Sequence, residues 1–294
     1  MARLGSPEIV HAAGALLGEG PAWDAGSGCL YWVDILGKRV HFHQDREDGY
    51  IQLEAMPGCA APCKDGGLIL ALSTSDGESY FAHLETASGQ LTALTAIKEP
   101  ASNRFNDGKC DPRGRFLAGT MDRDEKKASG ALYSFDGRRT TRLLAGLRIS
   151  NGLAWSPGFQ TMYHIDTPTR EVRAYAYDPD TSQVHDPRVV LTIPPSMGWP
   201  DGMTSDTNGD LWIAMWDGAQ VTHWNPQQGK LIEQIPLPAK NVTSVAFGGN
   251  DMNELFVTSA RIGLDSAELS GFAHSGSLMR LKTGVTGMPT FEFG

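Results

Sequence analysis

The chain has 294 residues, 40% of them hydrophobic and 20% charged, so it holds ample material for a packed core and is not expected to be disordered. Its 34 acidic residues against 25 basic ones give a net charge of -9, which argues against a nucleic-acid surface. No apolar run reaches the roughly 18 residues of a membrane span, and the stretch MARLGSPEIVHAAG lacks a signal peptide's apolar core, so a cytoplasmic protein with no membrane partner is expected.

Residues 7–13 (PEIVHAA) predict a short β segment, expected to close a ring by pairing with the C-terminal end around residues 289–293. A first unit follows, with strands predicted at 29–34, 39–44 and 51–56 and turns at 36–38 and 48–49. The second holds strands at 67–72, 80–84 and 91–97. In the third, strands at 116–121 and 130–135 flank the polar insert 122–129, longer than the two to five residues common in hairpin loops and therefore a predicted lid. Strands at 162–166, 171–177 and 189–193 make the fourth unit, and 211–216, 220–224 and 231–237 the fifth. The sixth has 242–247, 254–258 and 277–282, with an irregular insert over 261–275.

Turns at positions 24, 65, 111, 156, 206 and 249 each precede an apolar strand and lie 41, 46, 45, 50 and 43 residues apart. A period in the forties with four short strands per unit predicts an all-β, six-bladed β-propeller, with residues 1–294 forming a single domain. Helical periodicity of useful length is absent. Trp23, Trp32, Trp155, Trp212 and Trp216 lie on or beside strands and are assigned to packing between blades. The four cysteines, Cys29, Cys59, Cys63 and Cys110, follow no disulfide or zinc-finger spacing, and Cys59 and Cys63 are expected to be ordinary buried thiols.

Five residues before each turn stand Glu19, Ala60, Asn106, Asn151, Asp201 and Ser244. Four of the six carry a carboxylate or carboxamide oxygen, and a closed ring would point them inward together. Glu19, Asn151 and Asp201 make an anionic oxygen set that suits Ca²⁺, Mn²⁺ or Mg²⁺ and admits Zn²⁺ or Fe²⁺, with room left for water and substrate. Each of their dipeptides with Gly20, Gly152 and Gly202 alone would serve as a turn cap; the shared register is what favours a site. In NRFNDG, Arg104 and Asn106 are candidates to hydrogen-bond a polyhydroxy substrate, whereas Asp107 fits a surface turn equally well. Asp124, in the lid, is a weaker candidate for a substrate hydroxyl, and Trp199 for a wall of the mouth.

The segments LGEGPAW, NRFNDGKCDPRGRFLAGTM, GALYSFD, ISNGLAWSP, MYHIDT, PDGMTSDTNGDLWIAMW and FGGNDMNELFVTSA together resemble the SMP-30/gluconolactonase/regucalcin family, from about Gly18 to Ala260. The resemblance implies a six-bladed propeller with one divalent cation in its channel and a sugar lactone as small-molecule substrate. It matches the metal ligands to Glu19, Asn151 and Asp201, substrate contacts to Arg104 and Asn106, and the family's lid acid to Asp124, where the family often has Glu and the shorter Asp has less reach. Asp201 is then the expected general base or orienter of water. Two alternatives stay open: a related propeller hydrolase of other esters or phosphotriesters, and a non-enzymatic calcium-binding propeller.

Overall fold

The computed structural model describes residues 5–45 and 47–294, so the first four residues of the N-terminal stretch lie outside it. In chain order the strands are β1 (Glu8–His11), β2 (Gly18–Asp24), β3 (Cys29–Asp34), β4 (Arg39–Gln44), β5 (Glu47–Gln52), β6 (Met56–Pro62), β7 (Leu68–Ser73), β8 (Ser79–Leu84), β9 (Leu91–Ile97), β10 (Asn103–Cys110), β11 (Phe116–Asp122), β12 (Gly130–Phe135) and β13 (Thr140–Leu147). They continue with β14 (Ser150–Trp155), β15 (Thr161–Asp166), β16 (Glu171–Tyr177), β17 (Val184–Thr192), β18 (Trp199–Ser205), β19 (Leu211–Trp216), β20 (Gln220–Asn225), β21 (Lys230–Pro236), β22 (Asn241–Gly248), β23 (Glu254–Ala260) and β24 (Leu278–Lys282). Five antiparallel sheets take four consecutive strands each, from β2 to β21, and the sixth has the order β1-β24-β23-β22. The first strands of neighbouring blades pack against one another around the axis, and β2 meets β22, which closes the six-bladed propeller.

Burial follows radius. The innermost β10 and β14 are almost wholly buried, while the outermost β9 and β21 alternate or face solvent. The apolar sets lie between blades: Val33, Val40, Leu70 and Leu72 join the first two, and Phe81, Phe105, Phe116 and Phe135 join the second and third. A fully buried Phe contributes about 1.5–3 kcal/mol by leaving water, so the wedges between blades carry much of the stability. Trp32, Trp155 and Trp212 lie in these wedges and Trp23 stacks on Phe256, whereas Trp216 is half-buried and reaches the mouth of the axis.

Ring closure differs from expectation. Strand β1 pairs with β24, matching Glu8 to Arg280 and Ile9 to Met279, and not with residues 289–293. Ile9 packs on the wedge holding Val257, Met279 and Leu281, and Arg280 bridges Glu8 and Glu254. The 289–293 segment starts with Pro289, which has no N–H for a ladder; it crosses the closed end of the axis, and Phe293 pairs with Cys63. Cys63 is accordingly half-buried, while Cys59 is fully buried as expected. The predicted strand 51–56 straddles a blade boundary between β5 and β6. The predicted turn at 48–49 lies inside β5, because Gly49 leaves the space that the Phe42 ring occupies. The insert 261–275 carries α1 (Ser266–Gly271), capped reciprocally by Asp265 and Glu268. Among the described residues no helix is long and apolar enough to cross a membrane.

Two buried histidines make stability sensitive to acid. Burial holds His41, stacked on Trp32 at 4.1 Å, down at about 4, and His164 down at about 3. A pKa below the unfolded value near 6.5 means the unfolded chain binds the proton first. The contribution is therefore complete above that value and is lost as pH falls through 6.5 toward 4 and 3. Scanning calorimetry between pH 7.5 and 4 should show the wild-type midpoint falling relative to that of His41→Phe, which keeps the stack; profiles that stay parallel contradict this account.

Candidate functional site

Every innermost strand carries a register break near its mouth end: between Glu19 and Ala22, Pro57 and Cys59, Phe105 and Gly108, Asn151 and Leu153, Pro200 and Met203, and Val242 and Ser244. A bulge re-aims one side chain out of strict alternation, and here it places Glu19, Asn106, Asn151 and Asp201 at the breaks. Blade two is displaced from the expected register by two residues. Its turn residue is Cys63, whose N–H bonds Gly67 as Asp111 bonds Arg115, so its head is Gly58 and not Ala60. A Cβ on Gly58 would fall 2.6 Å from the Phe105 backbone, so this blade offers no side chain. Gly20 does adopt a left-handed φ of 51°, and its N–H bonds a Glu19 carboxylate oxygen at 3.0 Å. Gly152 and Gly202 have ordinary φ and serve close packing of the inner strands.

Glu19, Arg104, Asn106, Asn151 and Asp201 line one open cavity of about 610 Å³ at the mouth of the axis. The opposite end encloses only about 40 Å³, closed by Met288, Pro289, Thr290 and Phe291. Thr167 Oγ1 donates to the Pro200 carbonyl at 2.8 Å, so toward Asn151 it must accept. The atom it faces at 2.9 Å is therefore the amide nitrogen, and the amide oxygen of Asn151 is turned the other way. Asn106 gives one N–H to the Ser150 carbonyl and one to Asn151 Oδ1, at 3.0 and 3.3 Å, and its oxygen accepts Arg104 Nη1 at 2.7 Å. Both its donors are thus committed inside the protein, which makes Asn106 a brace for Arg104 and Asn151.

The electrostatics describe crowded acids. Burial, then the charge of Asp107, pushes Glu19 up to about 8 against the Gly20 N–H and Arg104. Burial also raises Asp201 well above the usual carboxylate range, with Glu19 and Asp107 adding to it. Asp107 is raised by its own burial, opposed by Lys109, and burial brings Arg104 down to about 10 against Glu19, Glu125 and Asp201. Asp201 Oδ1 is buried with no hydrogen-bond partner. An unpartnered buried carboxylate oxygen beside a second acid and an amide oxygen is costly alone and fits a hard divalent cation.

The lid insert hangs over this mouth, tied by Arg123 to the Asn103 carbonyl and by Arg148 to the Glu125 carbonyl. Asp122 binds the loop's own backbone N–H groups at Lys126 and Lys127. Asp124 does not face the cavity: its side chain is 73% exposed and meets Lys126 Nζ at 3.6 Å. Glu125, one residue on and at φ 59°, lines the cavity with Arg123. The left-handed residue reverses which side of the loop faces inward, a feature no spacing in the sequence announces. Trp199 does form part of the wall, with the Arg170 guanidinium 3.6 Å above its ring. Thr167 and the buried Asp107 complete the network; Thr167 lies outside the repeat register, and Asp107 shares a turn signature that gives no hint of burial.

Six blades around an axis with one open, acidic, oxygen-lined mouth and one sealed end define a β-propeller with a single open axial cavity. The chain belongs to the SMP-30/Gluconolactonase/LRE-like family, whose model matches residues 17–261. It is 40% identical to "Putative sugar lactone lactonase YvrE" of Bacillus subtilis over 92% of this chain and 93% of that one. It is 35% identical to regucalcin of Danio rerio, over 94% of each chain. The crystal structure of a calcium-binding protein, regucalcin, from Agrobacterium tumefaciens superposes with a TM-score of 0.89 at 28% identity, covering 98% of this chain and 97% of that one.

Proposed function

We propose that this protein hydrolyses a sugar lactone to the corresponding aldonic acid, with one divalent cation held by Glu19, Asn151 and Asp201. The observation that carries the reading is the unpartnered, buried Oδ1 of Asp201 beside Glu19 at the floor of the open cavity, in a family with relatives named for lactone hydrolysis. When bound, such a cation polarises a carbonyl and lowers the pKa of a water. Asp201 accepts the proton of the attacking water; the new bond forms at the lactone carbonyl carbon, the ring C–O bond breaks, and the proton passes from Asp201 to the ring oxygen, which leaves as a hydroxyl. Arg104, locked by the Phe105 carbonyl and Asn106, donates to the sugar oxygens. Asn106 contributes the second lone pair of its oxygen. Glu125 takes the lid position assigned by resemblance to Asp124 and accepts from a sugar hydroxyl.

Chelator-stripped protein resupplied with Ca²⁺, Zn²⁺, Mn²⁺, Mg²⁺ or Fe²⁺ singly, followed by pH-stat on five- and six-carbon aldonolactones and a phosphotriester, tests this. Lactone turnover restored by metal is expected; turnover of the phosphotriester alone, or indifference to chelation, overturns it. In the same assay Glu125→Gln should raise KM about tenfold, the value of a charge-assisted hydrogen bond of about 1.5 kcal/mol. Asp124→Asn should leave KM within twofold.

A further inference from the structure

The inter-strand turns of blades three and five start alike. Asp111 Oδ1 accepts the N–H groups of Arg113 and Arg115, both at 2.9 Å, and Asp206 Oδ1 accepts those of Asn208 and Asp210 at 2.9 and 3.1 Å. Both aspartates are fully buried. They differ in what meets Oδ2. In blade three the residue four positions on is Arg115, whose Nε bonds Asp111 Oδ2 at 2.6 Å and neutralises it. In blade five that position is Asp210, a second carboxylate. Opposite stands His223, 7% exposed, its ring stacked on Trp212 at 4.0 Å. Its Nε2 lies 3.5 Å from Asp206 Oδ2 and 3.7 Å from Asp210 Oδ2 and has no hydrogen-bond partner.

The geometry points to a second divalent-metal site at this turn, formed by Asp206, Asp210 and His223 and suited to Zn²⁺. One ligand atom from each lies within 4.8 Å of the others, the one such group of His, Cys, Asp and Glu among the described residues. Zinc bonds of about 2.0–2.2 Å set tetrahedral edges of about 3.3–3.6 Å, so the two separations from His223 Nε2, 3.5 and 3.7 Å, need only a slight contraction. An imidazole nitrogen with two carboxylates selects for Zn²⁺ over Ca²⁺ or Mg²⁺ and leaves one position for water. The outer contacts are built: Trp212 Nε1 donates to Asp206 Oδ2 at 3.1 Å, and Asn225 holds Asp210 Oδ1 at 2.8 Å, turning Oδ2 toward His223. Asp210, 14% exposed, gives the ion its way in.

The site is separate from the axial one. Asp206 follows Asp201 by five residues along and just beyond β18, about 16 Å at 3.3 Å per residue. It also lies under the C-terminal segment, where Thr207 and Met288 exchange backbone bonds with Thr286 and Ser205 at 2.9 and 3.0 Å. A bound ion braces that strap, so its role is structural and does not depend on the lactonase reading.

Zinc stoichiometry measured by equilibrium dialysis tests the site. A Glu19→Gln/Asp201→Asn protein, with both axial carboxylate charges removed, should keep one equivalent, and adding His223→Gln should take it to none. Asp210→Asn, at the more exposed ligand, should do the same if the histidine variant fails to fold. In the wild-type protein, Zn²⁺ should shift the His223 ring resonance, since the axial set offers only oxygen. His223→Gln alone should leave lactone turnover within twofold. Zinc at tenfold excess that neither shifts the His223 resonance nor binds the axial variant shows that Asp206, Asp210 and His223 hold no ion, and the proposal fails.

Discussion

Asp201→Asn is expected to lower kcat for lactone hydrolysis by at least about 10³-fold, since it removes a general base and a metal ligand together. Metal affinity should fall by more than the roughly 10–100-fold typical of losing an outer-shell partner. The same substitution should raise the unfolding midpoint of the metal-free protein. The physical reason is the crowding of Glu19, Asp107 and Asp201, three buried acids whose burial and mutual repulsion disfavour their charged forms. A neutral isostere keeps the shape and removes the cost of burying an ionisable acid there, and a gain of about 1 kcal/mol in a protein this size corresponds to roughly 2–4 °C. Calorimetry of chelated wild-type and variant protein, beside isothermal titration with Ca²⁺, reads both effects. A variant that is less stable without metal, or that still turns over lactone at the wild-type rate, removes Asp201 from the centre of this account. A site that costs stability when empty of charge compensation is a common mark of functional residues.

The fold was legible because a propeller repeats its grammar. Asp111-Pro-Arg-Gly before β11 and Asp206-Thr-Asn-Gly before β19 announce the same turn, and the spacing in the forties counts the blades. The axial residues were legible by position alone: Glu19, Asn151 and Asp201 share no local motif, and only a common register, realised in the bulges, puts them on one cavity wall. Register arguments fail where a blade departs from the repeat. Blade two hides its head at Gly58 because an aspartate two residues past the true turn position, Asp65, imitates the signal. The lid fails differently: whether Asp124 or Glu125 faces the mouth depends on one left-handed residue, and local composition is the same either way. Ring closure was expected with the wrong C-terminal segment because apolar content marks 289–293 as readily as β24, while only the latter has a free ladder of N–H groups beside Glu8–His11.

Gly152→Ala is expected to damage the site from behind. The added methyl would lie 2.7 Å from the Asp201 carbonyl oxygen and 2.8 Å from both Ile165 Cδ1 and Met203 Cβ. Backbone cannot yield as a flexible side-chain tip can, so β14 and β18 must separate at the level where Asn151 and Asp201 face the cavity. Overpacking of this kind costs about 1–3 kcal/mol, and a displacement approaching 1 Å in positioned groups costs about 10²-fold in rate. The expected variant is therefore folded, a few degrees less stable, about a hundredfold slower, and weaker in metal binding although every ligand is present. Gly158→Ala is the control in the same blade, since nothing lies within 4 Å of its added methyl and its φ is ordinary. Steady-state kinetics and metal titration on the pair separate close strand apposition from any general intolerance of blade four. Wild-type turnover in Gly152→Ala means that the inner strands have room to spare, and that the grip of neighbouring blades does not set the distance between Asn151 and Asp201.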